Sequence, residues 1–288
     1  MRILATADSH FGYIYGRTAQ AKNLITQHFF DSFENLLNIA RKEKADLVLH
    51  GGDFFNRSKP KKYCFAKAFN LIAKLSDDEF NFVAIPGNHD RSYLPDTLLS
   101  HFRKNIFFLN SFSIIEIDDI TIIGFPYSND PISIMKKISR YAKNNPSKRI
   151  IILCHQLFDG ATFGPHNYVF TKRFDTLLTY NLPRNIKFVV SGHIHRAQSL
   201  QNNKVFYPGS IGRTSFMEIV EPKGYLIIDV EDDFHSTEFC EIPSIPMEVK
   251  EVEIHKSAPL SSELEKIEID PNVRFLLRLV GRILTENE

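Results

Sequence analysis

Asp46-Leu47-Val48-Leu49-His50-Gly51-Gly52-Asp53 reads as a short apolar strand that runs into two glycines and then an aspartate. The same arrangement flanks it on both sides. Upstream, Arg2 to Thr6 is an apolar strand followed by Asp8-Ser9-His10. Downstream, Asn81 to Ile85 is a strand stopped by Pro86-Gly87 and followed by Asn88-His89-Asp90. Helical patterns separate these strands. Ala21, Leu24, Ile25, His28, Phe29, Phe33, Leu36, Leu37 and Ala40 recur at helical spacing, and Lys61 to Leu75 reads as a second helix. Strand and helix alternating over the first hundred residues predict an α/β sheet.

The middle of the chain is richer in strands. Ile106 to Leu109, Ser113 to Ile117 and Thr121 to Phe125 lie close together, the last two joined as a hairpin through Asp118-Asp119. The pattern then predicts a helix over Pro131 to Lys143, a buried strand over Arg149 to Leu153, a helix over Lys172 to Tyr180 and a buried strand over Ile186 to Val190. Short strands separated by turns fill Leu200 to Cys240. A mixed sheet, or two packed sheets with helices outside, fits this order better than an all-parallel arrangement. Ile242-Pro243-Ser244-Ile245-Pro246 reads as a linker. Beyond it come a strand at Val249 to Ile254, a short helix at Ser261 to Lys266 and a strand at Val273 to Val280. Residues 1–240 are therefore expected to form the main domain, and 241–288 the start of a small β-rich cap or tail.

Composition narrows the function classes. With 288 residues, 43% of them hydrophobic, the chain can bury a core without disulfide or metal staples. No stretch approaches the roughly 20 apolar residues that span a bilayer, and the opening residues turn polar too early for a signal peptide. No membrane contact is expected. Cys64, Cys154 and Cys240 are odd in number and scattered, which points to a reducing cytoplasm. Thirty-five Lys and Arg against 34 Asp and Glu leave a net charge of +1. A protein that holds nucleic acid by bulk electrostatics is clearly basic. Polyanion binding here needs local patches or bound metal.

Five segments at or just past strand ends carry the chemistry: Asp8-Ser9-His10, Gly51-Gly52-Asp53, Gly87-Asn88-His89-Asp90, Cys154-His155-Gln156 and Gly192-His193-Ile194-His195. Ligand sites of α/β sheets collect at such ends. In extended chain, residues two apart face the same side, so Asp8 with His10, and His193 with His195, can each present a pair of ligand atoms. The glycines permit sharp turns beside a crowded cluster. Carboxylate, imidazole and one amide oxygen together suit manganese, iron or zinc better than calcium or magnesium. Asp8, His10, Asp53, Asn88, His155, His193 and His195 are too many donors for one catalytic ion with open positions. Two ions sharing a carboxylate would use them all, with Asp53 the natural bridge.

In this order the motifs resemble those of the calcineurin-like metallophosphoesterases. Gly87-Asn88-His89-Asp90, Cys154-His155-Gln156, Gly192-His193-Ile194-His195-Arg196, Tyr207-Pro208-Gly209-Ser210 and Lys223-Gly224-Tyr225 narrow the resemblance to the SbcD-type DNA repair nucleases. The likeness covers residues 1–240 well and the tail loosely. It implies a four-layer α/β/β/α sandwich with a small C-terminal cap and the metals at its upper edge. It also implies that Asp8, His10, Asp53 and His195 hold one ion, and Asp53, Asn88, His155 and His193 the other. The ions are expected to be manganese, with iron or zinc as alternatives, and a hydroxide held between them is the expected nucleophile. His89 would face the leaving oxygen as a catalytic residue. Asp90 would stand behind it and accept its other ring N–H.

Six of the 11 histidines (28, 50, 101, 166, 235 and 255) fall outside the motifs and read mainly as structural. Arg57, Lys59, Lys61 and Lys62 form a basic run just after Asp53, which serves either as a solvated loop or as a track for phosphates. Arg196, Ser210 and Arg213 are further candidates for substrate contact. The leading expectation is a metal-dependent DNA nuclease of the SbcD type. A small-molecule or nucleotide phosphodiesterase shares every metal ligand, and a non-catalytic scaffold is opposed by the intact set. DNA is the expected substrate. An SbcC-like ATPase partner and a homodimer are the expected assemblies.

Overall fold

The structure, a computed structural model, describes residues 1–91, 94, 104–170, 176–177, 182–231, 234–254, 260–268, 270 and 272–281. In chain order the first half gives β1 (Arg2–Thr6), α1 (Ala19–Lys42), β2 (Leu47–His50), α2 (Lys62–Lys74), β3 (Asn81–Ala84), β4 (Ile106–Phe108), β5 (Ser113–Ile117) and β6 (Ile120–Phe125). Next come α3 (Pro131–Asn144), β7 (Arg149–Cys154), β8 (Leu157–Phe158), β9 (Thr162–Phe163), β10 (Tyr168–Val169), β11 (Thr176–Leu177) and β12 (Ile186–Ser191). The last elements are β13 (Gln198–Leu200), β14 (Val205–Tyr207), β15 (Gly224–Val230), β16 (His235–Glu241), β17 (Met247–Glu253), α4 (Leu260–Leu264) and β18 (Arg274–Val280).

Two six-stranded sheets carry the molecule, ordered β16-β15-β1-β2-β3-β4 and β13-β14-β12-β7-β6-β5. In the first, β1 to β4 run parallel, with Thr6 opposite His50 and His50 opposite Ala84. In the second, β14, β12, β7 and β6 run parallel, with Ser191 opposite Cys154 and Cys154 opposite Phe125. Antiparallel strands close both edges of the second sheet and the β16 edge of the first, whose other edge is the parallel β4.

Alternation along each strand sorts the core into three slabs. Ile3, Ala5, Leu47, Leu49 and Val83 turn inward and meet Ile151, Leu153, Phe188 and Val190 of the facing sheet. Leu4, Val48 and Phe82 turn outward, under Phe29, Phe33 and Leu36 of α1 and Ala68 and Ile72 of α2. On the far side Ile150, Ile152 and Val189 lie under Met135, Ile138 and Ala142 of α3. The layers are therefore helix, sheet, sheet, helix, the four-layer sandwich expected from the motifs. Each fully buried Leu, Ile or Phe contributes about 1.5–3 kcal/mol. Three such slabs explain a fold whose three cysteines all remain free.

One outcome differs from the sequence reading. Thr176–Leu177 lies inside the segment expected to be helical, yet it pairs parallel with Leu157–Phe158 as a strand. A short apolar run does not separate buried strand from buried helix, and pairing decides it. The rest of 172–180, with His101 and His255, lies outside the described residues. The tail forms a parallel pair, β17 with β18, joined through α4. No helix among the described residues is long and apolar enough to cross a membrane.

Candidate metal centre

The carboxyl ends of β1, β2, β3, β7 and β12 meet at one edge of the sandwich, and their loops are zipped together before any side chain is considered. Asp8 N–H donates to the Gly52 carbonyl and His10 N–H to the Asp53 carbonyl, both at 2.9 Å, while Gly192 N–H donates to Cys154 at 3.1 Å. Asp8, His10, Asp53 and His193 all hold left-handed backbone, with φ of 52°, 40°, 53° and 86°. The extended geometry expected for Asp8 with His10 and for His193 with His195 is thus replaced by sharp turns that aim the side chains inward. Non-glycine residues in such conformations cost about 1–3 kcal/mol each and collect at functional sites. Gly87 is required sterically, because a Cβ there would collide with the Asp53 carboxylate.

The seven predicted donors converge. Ligand atoms of Asp8, His10 and His195 lie within 4.8 Å of one another, as do those of Asp8, Asp53 and His155. Asp53 Oδ2 stands 3.9 Å from His10 Nε2 and 3.5 Å from His155 Nε2, between the two groups. Asn88 Oδ1 is 3.0 Å from both His155 Nε2 and His193 Nδ1. His155 Nδ1–H donates to the Gly51 carbonyl at 2.8 Å, which leaves Nε2 turned to the cluster. His195 Nδ1–H donates to Glu218 Oε1 at 3.2 Å and so turns its own Nε2 toward His10 Nε2, 3.0 Å away. The two Nε2 atoms are close enough to share either a proton or a cation. The donor set and its outer partners fit two divalent ions.

Burial sets the electrostatics. It pushes the Asp8 carboxyl up and presses His10 well down and His193 down to about 3, leaving both rings as uncharged donors. At His155 burial is outweighed by the facing Asp53, which pushes the ring up to about 9. Burial also opposes ionisation of Asp53, yet His155, His10 and His89 hold its carboxyl far below the usual range.

A family model, Calcineurin-like phosphoesterase, matches residues 1–197. The chain belongs to the calcineurin-like phosphoesterases. Relatives of this phosphoesterase include the DNA double-strand break repair protein Mre11 of Saccharolobus solfataricus, 27% identical over 78% of this chain and 57% of that protein. The D subunit of the nuclease SbcCD of Staphylococcus epidermidis is 24% identical over 81% of this chain and 67% of its own length. The chain thus spans little more than half of the first relative. Among solved structures, a dimetal phosphatase from Danio rerio covers 82% of the chain and is itself covered to 98%, with a TM-score of 0.53 at 9% identity. TT1561 of Thermus thermophilus covers 83%, is covered to 98%, and gives 0.52 at 14%. Both likenesses speak to the fold.

His89 of the phosphoesterase stands at the rim, its side chain 43% exposed and its Nε2 4.0 Å from Asp53 Oδ2. Its Nδ1–H donates to the Asn56 carbonyl at 3.0 Å. Asp90 is therefore not the partner of His89, and the expected catalytic pairing is corrected. Adjacent residues on a tight turn point opposite ways. The buried Asp90 carboxylate instead accepts the N–H groups of Phe54, Phe55 and Gly87 at 2.9, 2.8 and 3.0 Å, tying the loop after β2 to the loop after β3. Burial and the nearby Asp53 charge push it up to about 7. Asp90→Ala would strand three buried donors. It is expected to cost about 3 kcal/mol or more, at 1–3 kcal/mol per unpaired group. Urea unfolding checks this, and unchanged stability would show that the loops do not depend on Asp90.

The basic candidates divide. Arg57, Lys59, Lys61 and Lys62 are exposed and make no ion pair among the described residues, and the first three rim a cavity of about 60 Å³ shared with Phe11 and Cys64. Arg196, Ser210 and Arg213 are not free for substrate, which corrects their assignment. Arg196 is spent on Glu221 (2.9 Å), Asn167 (2.7 Å) and the Gly164 carbonyl (2.5 Å). Ser210 is fully buried and donates to the Gly212 carbonyl. Arg213 donates to the carbonyls of Glu218 and Glu221. Sequence reasoning missed Glu218, Thr214 and the role of Lys223. The Lys223 ammonium is fully buried, 2.7 Å from Glu218 and 2.9 Å from the His195 carbonyl. Glu218 carries no spacing signal, since it reaches His195 from a separate 3₁₀ turn, Phe216–Glu218.

Proposed function

We propose that this phosphoesterase hydrolyses the phosphodiester bonds of DNA as an SbcD-type repair nuclease. Two divalent ions, manganese in the first instance, would be held by Asp8, His10, Asp53 and His195 and by Asp53, Asn88, His155 and His193. The observation that carries the reading is the buried Asp53 Oδ2 lying within 4 Å of ring nitrogens from both N/O donor groups, with the exposed His89 beside it at the rim. When bound, such ions supply positive charge to phosphate oxygens and lower the pKa of water toward neutrality. The protein's part is orientation and proton delivery. Gly51 and Glu218 fix the His155 and His195 rings, and Asn56 fixes His89 with Nε2 toward the site. His89 is then placed to protonate the departing sugar oxygen. The names of the two relatives, a DNA double-strand break repair protein and a nuclease subunit, support DNA over small diesters, as does the exposed basic run beside Asn56. An SbcC-like ATPase is the proposed partner, with 1–240 as the nuclease domain and 241–288 as the start of a small β-rich cap or tail.

The test is a manganese-supplemented panel of linear DNA, cyclic nucleotides and small diesters. Preference for DNA is expected; turnover of small diesters alone would return the chain to the metabolite class. Neutralising Lys59, Lys61 and Lys62 together should weaken DNA binding similarly across sequences. It should also flatten the salt dependence by about one log–log unit for each phosphate no longer neutralised. An unchanged salt slope, measured by fluorescence anisotropy, would leave the run as a solvated loop.

A further inference from the structure

The turn that presents Glu218 and Thr214 to His195 is gripped from behind by the C-terminal strand pair. Arg274, the first residue of β18, is only 7% exposed, and no carboxylate pairs with it among the described residues. Its Nη1 donates to the Arg213 carbonyl at 2.7 Å. The guanidinium carbon lies 4.3 Å from the centre of the Tyr15 ring and 5.3 Å from that of Phe216, while Nε and Nη2 are buried without an acceptor among the described residues. Arg213 itself donates to the carbonyls of Glu218 and Glu221, and the Tyr13 hydroxyl donates to the Thr214 carbonyl. Tyr13 and Tyr15 follow directly from His10. The loop that carries His10 and the turn that orients His195 therefore converge on one guanidinium from the tail.

A buried cation that no described carboxylate pairs with is a costly way to fill space, and an apolar side chain would fill it more cheaply. What the guanidinium adds is direction, through a fixed donor fork and stacking on two ring faces. We infer that Arg274 is a positioning residue of the metal centre, through which the β17–β18 segment sets the turn that aims His195 and, with it, the ion site of Asp8, His10, Asp53 and His195. This rests on the two-ion reading above.

Manganese titration of the full chain by calorimetry tests it. Outer partners of metal ligands are worth about 10–100-fold in affinity, so Glu218→Gln should weaken one of two binding events. Arg274→Met and, at the second ring it contacts, Phe216→Leu should weaken that same event by about tenfold and leave the other within about twofold. Arg278→Met, on the same strand but exposed and paired with Glu251, should change neither. Two ions bound with unaltered affinity in both variants, or an equal loss at both sites, would overturn the inference, whatever happens to the melting temperature. An unsubstituted chain that binds no manganese would overturn the metal reading first and this one with it.

Discussion

Asp53→Asn should reduce phosphodiester hydrolysis by more than about 10³-fold, because stabilisation by coordinated metal is worth several kcal/mol and each 1.4 kcal/mol is tenfold in rate. Among the described residues, Asp53 is the one carboxylate within 4 Å of ring nitrogens from both donor groups, His10 at 3.9 Å and His155 at 3.5 Å. The amide keeps the shape and one oxygen for the His89 N–H, which Asp53 Oδ1 accepts at 2.8 Å. It removes the charge and the second acceptor. Metal content measured beside rate separates this from unfolding: the variant should keep its melting profile and lose at least one bound ion. A variant that retains two ions and near-normal turnover would take Asp53 out of the shared position.

The second large effect belongs to His89. A sugar alkoxide is a poor leaving group, so protonation during departure is worth about 10²–10⁴-fold. His89 is exposed at the rim, is locked through Nδ1 to the Asn56 carbonyl, and belongs to neither proposed ion's ligand set. His89→Ala should therefore keep both metals and the fold while losing about 10²–10⁴-fold in rate on DNA. The loss should shrink on a diester with an acidic phenol leaving group, which scarcely needs a proton. Equal losses on both substrates would point to a structural role. Because Asp90 is bonded to Phe54, Phe55 and Gly87, its substitution should act through loop stability and not through the His89 proton.

Much of this was legible in the residues, for physical reasons. The central strands of both sheets are covered on both faces, so they appear as nearly unbroken apolar runs such as Ile150-Ile151-Ile152-Leu153. The long α1 shows its period because one stripe lies on the sheet and the rest faces water. The ligands could be read because strand ends gather them in chain order. What stayed hidden depends on direction. Asp90 adjoins His89 but turns away from it. Arg196 and Arg213 look like phosphate contacts until their donors are found bonded to the protein's own groups. Glu218, Lys223 and Arg274 reach the site from distant turns, and no periodicity records such an approach. The left-handed backbone of Asp8, His10, Asp53 and His193 is likewise invisible, since residues other than glycine rarely adopt it.

Anomalous diffraction from manganese-soaked crystals tests the central claim most directly. Two peaks per chain are predicted, both coordinated by the Asp53 carboxylate, one completed by Asp8, His10 and His195 and the other by Asn88, His155 and His193. A single peak, or two peaks with Asp53 outside either shell, would contradict the account.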